Sequence, residues 1–148
     1  MNVGDLCQKN PVTVRPFEDL IAVAQLMREK HVGYVVVVEP AVREGAFRPA
    51  GVLTDRDIAI RCVAGRADPS ETSVEELMST PPQAVDEHTP IEDAVSRMAD
   101  LGLRRLVVTG ENNRVVGILS LDDVLDQIVQ QTRAIGKLLK QQKPGILA

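Results

Sequence analysis

Apolar residues recur at the helical period in two places along the chain. They stand at i, i+3, i+4 and i+7, first at Leu20, Val23, Ala24 and Met27 and again at Ile91, Ala94, Val95 and Met98. Each set gives one apolar face on an amphipathic helix. Unbroken runs of mostly branched aliphatic residues follow at 34–38 and 106–109. Such runs are typical of strands that are buried on both faces.

The two patterns belong to one unit that occurs twice. Leu6 matches Leu77 and Pro11 matches Pro82, an offset of 71 residues that holds along the upstream part of both copies. The segment GVLTDRD at 51–57 then returns as GILSLDD at 117–123, an offset of 66, so the first copy carries five additional residues. An internal repeat of this length predicts a fold with two similar halves.

Each copy predicts the element order β-α-β-β-α. A short strand (12–14 or 83–85) precedes the amphipathic helix, and the valine-rich strand leads through a turn to a third strand that ends at Thr54 or Ser120. The turn of the second copy is tight, around Asn112 and Asn113, whose side chains tolerate positive φ. The first copy has a longer loop over residues 39–50. A last helix follows each third strand.

Capping signals set the predicted helix ends. The helix of the second copy is expected to start with Thr89 as N-cap, Pro90 at its first position and Glu92 completing a capping box, and to end at Gly102. A further short helix, capped by the Ser73 and Glu76 pair, should run through residue 78 and repeat the 5–8 segment of the first copy.

The predicted fold class is α/β (α+β), with two β-α-β-β-α repeats packed through their sheets in pseudo-two-fold symmetry. One half of about 60 residues buries too little surface alone, so the two sheets should share one core. We expect a first repeat at 1–65, a linker at 66–72, a second repeat at 73–130 and a C-terminal helix or tail at 131–148.

Composition and charge exclude several classes of protein. Aromatic residues are only 2% of the chain and the net charge is −4, which argues against nucleic-acid binding by stacking or by phosphate neutralisation. No apolar run is long enough for a membrane span. Cys7 and Cys62 are far apart, which indicates a reducing compartment and two small buried apolar residues. We therefore expect a cytoplasmic protein.

The tail leaves two interpretations open. No acidic residue follows Asp126, and four cations stand at Arg133, Lys137, Lys140 and Lys143. They fit a final helix with positive charge at its negative end, or a surface for a dimer or another partner.

The repeated motif also has two readings. Thr54 with Asp57, and Ser120 with Asp123, have the spacing of a capping box, which needs no ligand. The same pairs stand at a strand-to-helix junction that favours phosphate, and an ionised carboxylate suits the two adjacent hydroxyls of a ribose. Glycines at 51 and 117 let another backbone or a ligand approach closely.

With both copies and their flanking elements in order, the chain from about residue 5 to 127 resembles a tandem pair of CBS domains, regulatory modules named after cystathionine β-synthase. The resemblance implies adenosine-containing ligands in clefts between the repeats: AMP, ADP, ATP or S-adenosylmethionine, less often a dinucleotide. Whether Mg²⁺ accompanies polyphosphates is left open. The implied roles are ribose binding by Asp57 and Asp123, and phosphate binding by Thr54 and Ser120.

Further site residues follow from the same resemblance. Backbone near the first strand of each repeat would read the adenine edge, at Val12, Thr13, Gln83 and Ala84. Phosphate contacts would come from Arg104 and Arg105 in one copy, and from Gly33 and Tyr34 in the other. The cleft with the arginines should favour more phosphates. Arg56 has Asp122 as its counterpart, so a phosphate contact by Arg56 would have no equivalent in the second copy.

The implied function is that of a stand-alone regulatory module that acts through an unknown partner protein. His31 and His88 have no ligand-spaced neighbours, so we expect no metal site, and no catalytic constellation suggests an enzyme. Disc-like homodimers are common in the family, and we expect the contact at residues 58–62 and 124–128. The alternatives are a structural interaction or dimerisation module with empty clefts, and a nucleic-acid binder that uses the basic tail from 133 to 143.

Overall fold

The computed structural model describes residues 1–41 and 45–141, and it contains the two predicted repeats. The first repeat consists of α1 (Val3–Leu6), β1 (Gln8–Lys9), β2 (Thr13–Val14), α2 (Leu20–Lys30), β3 (Tyr34–Pro40), β4 (Phe47–Thr54), α3 (Asp55–Asp57) and a π-helical turn (Ile58–Val63). The second consists of α4 (Val74–Leu77), β5 (Ala84–Asp86), α5 (Ile91–Leu101), β6 (Arg105–Thr109), a 3₁₀ turn (Glu111–Asn113), β7 (Val115–Ser120) and α6 (Leu121–Gln141). The order β-α-β-β-α is confirmed in both.

The strands form two sheets of like topology. One sheet has the order β2-β3-β4 and the other β1-β7-β6-β5. In each, a short strand lies parallel to the valine-rich strand, which pairs antiparallel with the strand that carries the motif. The additional strand β1 comes from the first repeat and pairs antiparallel with β7 of the second, with Gln8 opposite Ile118.

The segments that begin the two repeats are exchanged between them. The amides of Val3 and Gly4 in α1 donate to the carbonyls of Thr89 and Glu87 in the second repeat, both at 2.8 Å. By the same symmetry, the amides of α4 donate to carbonyls of the first repeat, from Val74 to Glu18 at 2.9 Å, for example. Each repeat therefore completes the other, which binds the two halves more closely than sheet packing alone.

The buried apolar residues form three clusters, and the prediction of one shared core is wrong in this respect. Each sheet packs against its own helix and against the exchanged short helix, with Leu20, Leu53 and Val74 in one cluster and Val3, Leu106 and Leu119 in the other. A third cluster joins the two sheets, as predicted, around Val36, Val38 and Val107. The division follows from the helices, which lie on the outer face of each sheet.

Several predicted boundaries need correction. Helix α5 has Pro90 rather than Thr89 as its N-cap, because the Thr89 carbonyl accepts from Val3 instead of starting the helix. The short helix of the first copy is Val3–Leu6 rather than 5–8. Strands β3 and β4 extend into the predicted 39–50 loop, of which residues 42–44 lie outside the described residues. The first strands begin one residue late, at Thr13 and Ala84.

Other local predictions are confirmed. Gly102 caps α5 in the left-handed region with φ 65°, and Asn112 and Asn113 have φ 56° and 59°. Ser73 and Glu76 form the predicted capping box of α4. Both cysteines are buried and free.

Helix α6 is one uninterrupted helix from Leu121 to Gln141. It continues across residue 130, where the second repeat was expected to end, and that domain boundary stays a prediction. Arg133, Lys137 and Lys140 are exposed on it, whereas Lys143 lies outside the described residues. Within residues 1–41 and 45–141, no helix combines the length and apolar character needed to cross a membrane.

Candidate functional site

Both copies of the motif form a complete capping box. The amide of Asp57 donates to the Thr54 hydroxyl at 3.1 Å, and the Thr54 amide donates to Asp57 Oδ2 at 2.9 Å. The second copy has the same pair of bonds between Ser120 and Asp123, at 3.2 and 3.0 Å. The capping interpretation is therefore correct for the backbone. It uses one carboxylate oxygen and leaves Oδ1 of each aspartate for another partner.

The first motif borders a cleft of about 510 Å³, which we call the Thr54 cleft. Its walls come from the ends of β3 and β4, from the segment before β5, and from the turn between α5 and β6. Its lining residues are Tyr34, Val52, Thr54, Asp57, Ser79, Thr80, Pro81, Gln83, Gly102, Leu103, Arg104 and Arg105. The cleft lies between the repeats, since residues of both line it.

The second motif borders a smaller cleft of about 320 Å³, the Ser120 cleft. Most of its walls are the symmetry equivalents of those above. Its lining residues are Gln8, Lys9, Asn10, Pro11, Val12, His31, Val32, Gly33, Tyr34, Arg105, Ile118, Ser120 and Asp122. Gln8 stands at the offset of 71 from Ser79, and Val12 at the same offset from Gln83.

Tyr34 and Arg105 line both clefts and are each other's repeat equivalents. The guanidinium carbon of Arg105 lies 5.5 Å from the centroid of the Tyr34 ring, within the range of a cation–π contact. Burial raises the pKa of Tyr34 to about 12, although the charge of Arg105 opposes this shift. The phenol therefore keeps its proton at neutral pH and offers a hydrogen-bond donor where the clefts meet.

The structure brings together most of the residues that the sequence singled out. Thr54, Asp57, Gln83 and Arg104 line the first cleft, Val12 and Ser120 the second, and Tyr34 and Arg105 both. Their roles toward a ligand stay predictions.

Four other predicted residues line neither cleft. Thr13 is exposed on β2 and Ala84 packs on the cluster between the sheets, so neither side chain lines a cleft. Arg56 is exposed and lines neither cleft. Asp123 is bound by Gln8, whose side-chain amide donates to Asp123 Oδ1 at 3.0 Å.

Gly51 and Gly117 make room for a neighbouring backbone. A Cβ on Gly51 would lie 2.8 Å from the carbonyl oxygen of Ser79, and one on Gly117 would collide with the carbonyl of Gln8. These carbonyls belong to the segments that cross over from the other repeat. Of the two explanations for the glycines, the structure supports close approach of a backbone.

Sequence reasoning missed the segments that enter the first strand of each repeat. Ser79, Thr80 and Pro81 line one cleft, and their equivalents Gln8, Lys9 and Asn10 line the other. Their position just before the strands at 12–14 and 83–85, which the sequence places at the site, could have indicated them.

The charge around the two clefts differs. Arg104 and Arg105 both line the Thr54 cleft. In the Ser120 cleft, Gly33 replaces Arg104, and the ammonium of Lys9 and the carboxylate of Asp122 enter the lining. Arg104 lies 3.9 Å from Asp122, but both side chains are more than 70% exposed, so this ion pair is weak and leaves Arg104 available to a ligand.

Comparisons with known proteins agree with this architecture. The chain is similar to the CBS domain-containing protein YhcV of Bacillus subtilis, with 37% identity over 83% of this chain and 82% of that protein. It is also similar to the crystal structure of Hypoxic Response Protein I with two coordinated zinc ions, with 29% identity, a TM-score of 0.71, and coverage of 85% of this chain and 98% of that one. A CBS domain protein of Pyrobaculum aerophilum complexed with AMP has 28% identity, a TM-score of 0.71, and coverage of 83% and 89%.

Some relatives are longer than this chain. The matched region spans 61% of an uncharacterized protein of Methanopyrus kandleri, which is 32% identical over 84% of this chain. The sequence model of the CBS domain matches residues 3–63 and again 74–130. These two matches cover both repeats and most of the chain, and with the paired clefts they show that the chain belongs to the CBS domain family, as a tandem pair.

Proposed function

We propose that this chain is a regulatory, non-catalytic module that binds an adenosine-containing ligand between its repeats and signals through a partner protein. The observation that carries the proposal is the Thr54 cleft, which is lined by two arginines and by Asp57, a carboxylate with one oxygen that the capping box leaves unused. AMP, ADP, ATP and S-adenosylmethionine are the candidate ligands. The AMP in the related Pyrobaculum aerophilum protein supports this class.

The chemistry of the cleft suits a nucleotide. Asp57 Oδ1 is left free by the capping box and can accept from ribose hydroxyls. Arg104 and Arg105 offer planar donor groups that match phosphate oxygens. Thr54 and the protonated Tyr34 add neutral donors. Each cleft is lined by two cations and one carboxylate, but only the Thr54 cleft has two guanidinium groups. Because these groups can bind phosphate oxygens in pairs, the Thr54 cleft is the better site for a ligand with several phosphates.

Hypoxic Response Protein I coordinates two zinc ions, and we propose no such site for this chain. Across the part of the chain that the structure describes, no three His, Cys, Asp or Glu side chains stand close enough together to hold a metal ion.

The proposed regulatory output rests on differential binding. A ligand shifts the packing of the two repeats only by its different affinity for the two arrangements. Because both repeats contribute walls to each cleft, a bound ligand contacts the surfaces whose arrangement would change. A partner protein would then recognise the altered arrangement.

We further propose a homodimer formed through the helices after the two motifs. Ile60 and Val63 are 56% and 68% exposed, and Leu125, Ile128 and Val129 are between 46% and 51% exposed. Of the residues expected at this contact, Cys62 and Val124 face the core instead. These exposed apolar side chains are available for contact with a second copy.

Titration calorimetry on nucleotide-stripped protein tests the function, with AMP, ADP, ATP, S-adenosylmethionine and NADH as ligands. The double variant Asp57→Asn with Asp123→Asn should weaken binding of the preferred ligand by about 10-fold to 100-fold, because a charged acceptor is lost at each ribose site.

The variant Glu76→Gln is the matched control. It alters the capping carboxylate of α4, where the Ser73 amide donates to Glu76 at 2.7 Å, outside both clefts. It should leave binding unchanged. Unaltered affinity in the double variant would contradict the assignment of these aspartates.

The second candidate is a structural dimerisation module with empty clefts. The exposed apolar face of α6 favours it, because that face needs a protein partner whether or not a nucleotide binds. Absence of binding by all five ligands, together with a stable dimer, would establish this alternative.

A further inference from the structure

We infer that Gln8 makes the two clefts unequal, because it occupies the carboxylate of Asp123 and leaves the Thr54 cleft as the site of strong binding. This inference rests on the proposed nucleotide-binding function and adds to it a stoichiometry and a specificity-determining residue. The two clefts can be compared directly, since most lining residues of one are the repeat equivalents of lining residues in the other.

Both oxygens of Asp123 are engaged. Its Oδ2 accepts from the Ser120 amide at 3.0 Å, and its Oδ1 accepts from Gln8 Nε2, also at 3.0 Å. In the first motif, Oδ2 of Asp57 accepts from the Thr54 amide at 2.9 Å. Its Oδ1 forms an ion pair with Arg61 Nε at 3.9 Å, which is too long for a hydrogen bond. Among the described residues, the ribose acceptor therefore has a hydrogen-bond donor in the Ser120 cleft and none in the Thr54 cleft.

The position of Gln8 is fixed by the backbone around it. Strand β1 pairs antiparallel with β7, which sets Gln8 opposite Ile118 and Lys9 opposite Gly117. The equivalent position in the second repeat is Ser79, which bridges Val52 through two backbone bonds of 2.9 and 3.1 Å. A serine side chain is too short to reach as far as Gln8 does, so among the described residues no side chain donates a hydrogen bond to Asp57 Oδ1 in the way that Gln8 does to Asp123.

Two further differences weaken the Ser120 cleft as a phosphate site. Its volume is about 320 Å³ against about 510 Å³, and Gly33 and Asp122 line it where the Thr54 cleft has Arg104. The ammonium of Lys9 also lines the Ser120 cleft, but it donates to the Gly4 carbonyl. A ligand entering it must exchange the Gln8 bond for its own and approach a further negative charge. Exchanging the Gln8 bond for a ligand bond adds little affinity, whereas a ligand bond to Asp57 replaces only water and adds the net contribution of a hydrogen bond to a charged group.

Reciprocal substitutions test the inference by titration calorimetry with AMP, ATP and S-adenosylmethionine. The unaltered protein should bind one equivalent of the preferred ligand strongly. Gln8→Ser, which copies the residue of the other cleft, should strengthen binding of a second equivalent by about 10-fold. Ser79→Gln should weaken the first equivalent by a similar factor. Asp57→Asn should remove the strong site, and Asp123→Asn should leave it.

The outcomes separate the two proposals. Two equal sites in the unaltered protein, no change in Gln8→Ser, or loss of the strong site in Asp123→Asn would overturn the role of Gln8 and leave the nucleotide function standing. Absence of binding of all three ligands by every variant would overturn the proposed function and this inference with it. Thermal melting of each variant verifies that the fold is retained.

Discussion

Tyr34 is the only tyrosine of the chain, which also has no tryptophan, so its titration can be followed alone by ultraviolet absorbance. Burial raises its pKa from 10 to about 12. The unfolded chain loses this proton first as pH rises, so the free energy of unfolding should fall between about pH 10 and 12 and be unaffected by this group below that window.

The absorbance titration should therefore have its midpoint well above 10 in the native protein. Arg105→Ala should move it further up, since the positive charge of Arg105 lowers the pKa of Tyr34. A native midpoint at the ordinary value would mean that the phenol is open to solvent.

Of the hydrogen bonds made by single side chains, only those between neighbours in the sequence could be predicted. The bonds between Thr54 and Asp57 join residues three apart, and their spacing alone predicts them. The bond from Gln8 to Asp123 joins residues 115 apart. No pattern along the chain indicates it, because it depends on the exchange of β1 between the sheets.

At the scale of elements, helix α6 has a segregated charge that bears on dimer orientation. Asp122, Asp123 and Asp126 stand at its start, and Arg133, Lys137 and Lys140 near its end. Two copies packed antiparallel through their apolar faces bring opposite charges together, whereas a parallel pair brings like charges together. The proposed dimer should therefore be antiparallel along α6.

Lys140→Glu should accordingly weaken the dimer by about 10-fold, because the contact occurs twice across the two-fold axis and exposed pairs contribute up to about 1 kcal/mol each. Asp122→Lys in the same chain should restore much of the affinity. Sedimentation equilibrium at low and high salt measures both effects. A tighter dimer in Lys140→Glu alone would instead indicate parallel packing.

Helices and strands could be predicted because their periodicity is written in neighbouring residues. The start of a helix is harder to predict where a distant segment of the chain forms hydrogen bonds with the residues that precede the helix. Pro90 replaces Thr89 as N-cap because Val3, from the other end of the chain, takes the Thr89 carbonyl. The capping box at Ser73 and Glu76 meets no such competition and was predicted correctly.

At the scale of the whole molecule, the exchanged segments should make the two repeats unfold together. Val3 is fully buried, and it packs on the second repeat. Val3→Ala should therefore lower the free energy of unfolding by about 2 kcal/mol.

Urea denaturation measures this effect. Val74→Ala is the matched variant, since Val74 is equally buried at the equivalent position of the second repeat and packs on the first. It should cost a similar amount. Phe17→Ala, at a residue that is 78% exposed, should cost nearly nothing. All three proteins should show a single transition. Two separate transitions would contradict the mutual dependence of the repeats.

The pseudo-two-fold arrangement followed from the repeat itself, but the exchange did not. An offset of 71 residues says that the two short helices are equivalent, and it applies equally whether each packs on its own repeat or on the other. Each short helix packs on the other repeat because its amides donate to carbonyls there, at Thr89 and Glu87 and at their counterparts in the first repeat. These carbonyls come close to the helices only in the folded chain.

This exchange has a consequence for how such a chain could arise. One repeat has both a short first helix and a surface that receives such a helix. Two separate copies of it could therefore complete each other as a swapped dimer. Joining the copies by the short segment at 66–72 turns that encounter between molecules into one within a single chain, at a far higher effective concentration. Once joined, the copies are free to diverge, and the contrast between Gln8 and Ser79 is the kind of difference that two identical subunits could never acquire.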